Sequence, residues 1–127
     1  MKPIPLGAKG SFAVVVQPEH LANRFKDAML PPVLATPVMI MAMENAALHA
    51  IKAYRDPGES AVGTGVNIRH LAATPVGRRV PAEAEVTKVS GSHIEFTVQA
   101  TEGAKAIGVG SHARGVIDAA KFAQRLG

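Results

Sequence analysis

The chain contains no cysteine. That excludes a thiol nucleophile, a Cys-based zinc site and a disulfide framework, and it leaves His, Glu, Asp, Ser, Thr and Lys to carry any chemistry. Three of these stand in conspicuous places. Glu44 lies within VMIMAMENAALHAI, with Ile40 and Leu48 four residues to either side. A carboxylate on so apolar a segment must find a partner or hold its proton more tightly. The alternatives are a narrow solvent-facing stripe or a structural ion pair. His70 shares the period-two face of Val66, Ile68 and Ala72, while Asn67 and Arg69 point the other way. An inward imidazole is either a hydrogen-bonded core residue or, if it meets an inward carboxylate, half of an acid–base pair. Thr36 precedes Pro37 and a run of good helix formers, so its simplest role is helix N-cap. Free N–H groups at a helix start also stabilise a developing oxyanion.

These residues need elements to hold them. Thr36-Pro37 opens a helix from about 37 to 54, ended by Pro57-Gly58. Its first two turns are apolar on nearly every side, so other structure should enclose it. Before it, Phe12 to Val16 reads as a strand, and residues 19–34 as a partly helical lid or crossover closed by Pro31-Pro32. After it, strands are expected at about 60–72, 79–89, 93–101 and 105–117, followed by a short terminal helix or frayed tail. Ile94, Phe96, Val98 and Ala100 alternate with polar residues, as do Val80, Ala82, Ala84 and Val86, so these strands have one dry face. One apolar helix and a sheet dry on one side pack most economically with the sheet curved around the helix, an α+β arrangement of hot-dog layout. Two such units joined edge to edge would remove exposed strand edges. If Thr36 and Glu44 serve one centre, eight residues at ~1.5 Å put them ~12 Å apart along the helix. Either the helix then starts later than residue 37, or a second subunit supplies one of them; the second alternative is the expectation here, which makes the site an interface site.

The chain has 127 residues, 47% hydrophobic and 19% charged, with five aromatics. This predicts one domain (residues 1–127) with a thin core that gains from a second copy. Fourteen Lys and Arg exceed ten Asp and Glu, which favours phosphate-bearing ligands. The basic residues are scattered and not interleaved with aromatics, which argues against nucleic acid; their default role is surface solvation. Arg78 and Arg79, beside a turn, are the readiest for a coenzyme A phosphate. The five histidines lack HxH or HExxH spacing, so no metal is expected. No glycine-rich phosphate loop or GxSxG context is present. Gly63 and Gly65 either admit a ligand close to the backbone or form a bulge. There is no signal peptide pattern, and the longest apolar run, Pro37 to Met43, is too short to span a bilayer. A cytoplasmic location is expected.

The stretches ATPVMIMAMENAALHAI, PGESAVGTGVNIRHLAATPVG and GVGSHARGVID resemble the fluoroacetyl-CoA thioesterase group of hot-dog thioesterases, over roughly residues 33–123. That group has a Thr just before the central helix, a Glu eight residues on and a His 26 beyond the Glu, types and spacing held here by Thr36, Glu44 and His70. The resemblance implies hydrolysis of a short acyl-CoA with this catalytic set at a subunit interface of a homodimer, or of a pair of such dimers. It implies no cofactor beyond the coenzyme A of the substrate and no membrane or nucleic-acid partner. It puts Gly63 at the acyl carbonyl and Arg114 near the active site. The lid departs from the group's pattern: where the group has phenylalanines, DAMLPPVL has Met29 and Leu30, and the nearest aromatic is Phe25. The catalytic set is thus carried over further than the acyl group. The competing expectations are a hot-dog hydratase of enoyl thioesters and a non-catalytic acyl-CoA binding module.

Overall fold

A computed structural model describes residues 1–127. Strand β1 (Lys9–Val15) leads through a 3-10 turn (Pro18–His20) and a one-turn helix α1 (Ala22–Phe25) to the long helix α2 (Thr36–Ile51). Then follow β2 (Glu59–His70), β3 (Arg79–Ser90), β4 (His93–Glu102), β5 (Lys105–Asp118) and a terminal helix α3 (Ala119–Leu126). The strands form one antiparallel sheet in the order β1-β3-β4-β5-β2. This is the expected curved sheet against a central helix, with strand limits within two or three residues of those read from the pattern. No helix is long and apolar enough to cross a membrane.

The core is the dry face of the sheet against α2. Val80, Ala82, Ala84 and Val86 of β3, and Ile94, Phe96, Val98 and Ala100 of β4, are buried together with Met39, Met43 and Ile51 of the helix. Each large aliphatic or aromatic side chain among them contributes about 1.5–3 kcal/mol on burial, so this face fixes which side of α2 turns inward. The alanine seam Ala42, Ala46, Ala47 and Ala50 lets the backbones approach closely. Where β1 crosses it, a Cβ on Gly10 would overlap the Ala46 carbonyl oxygen and the Ala50 nitrogen; only glycine fits there.

Two expectations change. The helix is not enclosed on all sides: α2 lies mainly over β1, β3 and β4, which leaves a stripe toward β2 on which Pro37 and Met41 are exposed and Ile40, Glu44, Asn45 and Leu48 half-covered. A five-stranded sheet is too narrow to wrap a helix completely. The second change concerns the helix start. Thr36 is already helical and Ala35 is the N-cap residue, so the Thr36 hydroxyl is free of capping.

Strand β2 forms one edge of the sheet. Gly63 to Asn67 and Arg69 are exposed, and no charged or proline residue interrupts the stretch from Ser60 to Ile68. Unprotected edges of this length are normally paired or covered.

Candidate active site

Two clusters of polar side chains line the open side of α2. The first lies at its start. The segment before the helix anchors this end: Leu34 N–H donates to the Thr74 carbonyl (2.8 Å), Ala35 N–H to the His20 carbonyl (2.9 Å), and Ala22 N–H to the Val33 carbonyl (2.7 Å). Leu71 N–H, just past β2, donates to the Ile107 carbonyl (2.7 Å). These bonds bring Thr36 and His70 together, and Thr36 Oγ1 and His70 Nδ1 share a hydrogen bond of 2.8 Å. The other ring nitrogen of His70 is buried without a protein partner. Beside the pair runs a shallow groove lined by Leu30, Val33, Leu34, Leu71 and Ala72.

Free helix N–H groups are scarcer here than the sequence suggested. Val38 and Met39 N–H both donate to the Ala35 carbonyl, and Pro37 has no N–H. The Thr36 hydroxyl and its own N–H are what this helix start offers a ligand.

The second cluster lies two turns along, where Glu44 faces Gly63. A Cβ on Gly63 would stand 3.2 Å from Glu44 Oε2 and 3.6 Å from both the Arg114 guanidinium and the His112 ring, so glycine leaves the space these groups share. The register slips between Gly63 and Gly65, which realises the bulge reading of that pair. Arg114 Nη1 is 4.0 Å from Glu44 Oε2, a charge contact beyond hydrogen-bonding distance. Arg114 is buried, 7% exposed, and its guanidinium donates through Nε (3.3 Å) and Nη2 (2.7 Å) to the Ala61 carbonyl. Arg114 is therefore not the solvated surface cation its charge class suggested: β5 register sets it opposite Ile94, on the dry face.

Glu44 and His70 are not brought together within the chain. The imidazole beside Glu44 is His112, which stacks on Phe96 with centroids 5.7 Å apart. The sequence reading passed over His112, although a signal existed. By period two, His112 and Arg114 share the face of Phe96 and Ile94, their register partners on β4, and two polar residues two apart on a dry face require mutual satisfaction.

Burial holds both the His70 and the His112 imidazole below the ordinary histidine range, offset in part by the Ala72 backbone for His70 and the Gly65 backbone for His112. Both rings are thus neutral at pH 7, and His70 is able to accept a proton. The unfolded chain, with histidines near about 6.5, binds more protons than the native one between that value and the depressed native values. Stability is then fully present above about 6.5 and is lost as pH falls through the native values. Urea midpoints measured from pH 8 to 5 should be level at first and decline in the acid half; a level curve throughout would mean that neither ring is buried neutral.

Residues 16–120 match a family model described as fluoroacetyl-CoA-specific thioesterase. The fluoroacetyl-CoA thioesterase of Streptantibioticus cattleyicolor is 41% identical over 95 residues, covering 75% of this chain and 68% of that protein. Among solved structures, a variant of a fluoroacetyl-CoA-specific thioesterase in complex with fluoroacetate and CoA superposes with a TM-score of 0.87 at 35% identity, over 93% of this chain and 98% of that one. A hypothetical protein of Thermus thermophilus, a thioesterase superfamily member, superposes with a TM-score of 0.92 at 34% identity, over 99% and 93% of the two chains. The curled sheet and central helix, with these neighbours, define the class as hot-dog thioesterase. Within it, the chain belongs to the fluoroacetyl-CoA-specific thioesterase family.

Proposed function

We propose that this chain hydrolyses a short acyl-CoA thioester to the free acid and coenzyme A, at a site shared between two copies. One observation carries the reading. Each chain bears two incomplete halves on the same open side, the Thr36–His70 pair and the Glu44–Gly63–Arg114 cluster, ~12 Å apart along α2 and bordered by the unpaired edge of β2. Antiparallel pairing of β2 with a second copy, centred on Val66 in the middle of the exposed stretch, opposes His70 of one copy to Val62 of the other and Gly63 to Arg69. Opposed residues on such strands have Cα atoms about 4.5–5.5 Å apart. The pairing would thus bring each half-site beside the complementary half of the other copy, and it would cover the exposed stripe of α2.

In this arrangement the Thr36 hydroxyl, with its N–H, orients the thioester carbonyl and steadies the oxyanion. Glu44 either attacks the carbonyl carbon, giving a mixed anhydride that water then opens, or takes a proton from the water that attacks it. The C–S bond breaks in either case, and His70, neutral at rest, relays a proton between water and the departing thiolate. Arg114 holds the Glu44 carboxylate in place by charge, and the lack of a side chain at Gly63 leaves room for the acyl carbonyl. The groove beside Thr36 and His70 is walled mainly by aliphatic side chains, with Lys26 at its side and no Phe, Tyr or Trp, which suits a short aliphatic acyl group.

A thiol-release assay over a panel of acyl-CoAs tests the reading; absence of thiol from every member would overturn it. Thr36 gives a graded check. Thr36→Val removes the hydroxyl and is expected to cost about 2.7–4 kcal/mol of barrier, the usual loss for one oxyanion donor. Thr36→Ser keeps the hydroxyl and should lose much less. Equal rates for the two variants would remove Thr36 from the reaction.

A further inference from the structure

His112 makes two bonds whose chemistry fixes its state. The Gly65 carbonyl can only accept, so His112 Nδ1–H donates to it (2.8 Å). The Arg114 guanidinium can only donate, so His112 Nε2 accepts from Nη1 (3.1 Å). The ring is the neutral Nδ1–H form, buried and stacked on Phe96. Arg114 spends its other arms on the Ala61 carbonyl, so Nη1 is the arm that faces Glu44, and it stops at 4.0 Å.

We infer that His112 is a positioning residue for hydrolysis: by accepting from Arg114 Nη1 it holds the guanidinium off Glu44 and keeps that carboxylate available to react. Without that acceptor, Nη1 still faces the Glu44 carboxylate, whose Oε2 is 4.0 Å away. Closing that gap would make a charge-assisted hydrogen bond, which stabilises the ionised carboxylate and so makes it a weaker nucleophile and a weaker base toward water. The inference rests on the role proposed for Glu44 above.

Two conservative replacements separate this role from a structural one. His112→Gln sets a carbonyl oxygen where Nε2 was, so Arg114 keeps its acceptor while Gly65 loses its donor. His112→Asn sets an N–H where Nδ1 was, so Gly65 keeps its donor while Arg114 loses its acceptor. In thiol-release assays the Gln variant should hold kcat within about threefold of the parent. The Asn variant should lose about 10- to 100-fold in kcat, the scale of one hydrogen bond to a charged group, with KM little changed. The reverse order would show that the ring serves the Gly65 bulge and would overturn the inference, as would two variants equal to the parent. A measurement on the unaltered protein stands beside these whether or not the variants fold. Nitrogen-15 NMR should find His112 neutral and protonated at Nδ1 at pH 7.5, and an Nε2–H ring there would sink the proposal. Glu44→Gln run in parallel keeps the two ideas apart. If it is active, the role of Glu44 fails; if it is inactive while the Asn variant is fully active, only the role of His112 fails.

Discussion

Glu44→Gln is expected to lower kcat for acyl-CoA hydrolysis by roughly a hundred- to ten-thousand-fold, the range spanned by a positioned acid–base group. Glutamine preserves size and shape but can neither attack a carbonyl nor take a proton from water. The substitution also removes the only carboxylate beside a buried guanidinium, so part of any loss could come from weakened folding. Magnitudes separate the two. Breaking a fully buried pair costs about 3–5 kcal/mol, but the Glu44 side chain is 38% exposed and stands 4.0 Å from Arg114, so solvent screens most of that. Arg114 keeps its bonds to Ala61 and His112. The variant should unfold within a few degrees of the parent while releasing almost no thiol. Turnover at the parental rate would leave Glu44 a structural residue on a half-exposed stripe.

The second large effect is a recovery. Glu44→Gln and His70→Ala should each be nearly inactive as pure proteins. When the two are unfolded together and refolded as a mixture, about half of the dimers carry one chain of each kind. If each site draws Glu44 from one copy and His70 from the other, such a dimer has one site with both groups intact and one with neither. The mixture should then regain about a quarter of the parental activity. A mixture as inactive as its parents would mean that the two residues do not meet across a pair of copies. The same sample tests the assembly, since sedimentation must find a species of twice the chain mass. A β2 edge with no charge or proline from Ser60 to Ile68 is the surface that would form it.

Most of the fold was legible because its strands are half-buried. Alternation along Ile94 to Ala100 and Val80 to Val86 states which side is dry, and the turns at Ser90-Gly91-Ser92 and Thr101-Glu102-Gly103 bound the strands within a residue or two. In β2 the alternation is legible only toward its end, where Ile68 and His70 are half-covered between exposed Asn67, Arg69 and Leu71, and His70 does face the helix, reaching Thr36. What escaped depended on groups distant in sequence. Thr36 before Pro37 looks like an N-cap, and only contact with His70, 34 residues on, shows where the hydroxyl goes. Arg114 belongs to a residue type that is nearly always solvated, and its burial depends on two acceptors, the Ala61 carbonyl and His112, and on the nearby Glu44 charge, brought together by three different elements. The full wrapping of α2 was an overreach of local pattern: an apolar helix says that something covers it, not that the same chain does.

Gly10 carries a consequence for how such a site changes over time. With β1 lying backbone against backbone on Ala46 and Ala50, the helix that bears Glu44 is pinned at that crossing, with no side chain between the two backbones to let it drift or re-tilt there. Change is therefore easier in the segment before Thr36, where Met29 projects into solvent and Leu30 edges the groove. Selectivity can wander there while Glu44 stays where it is.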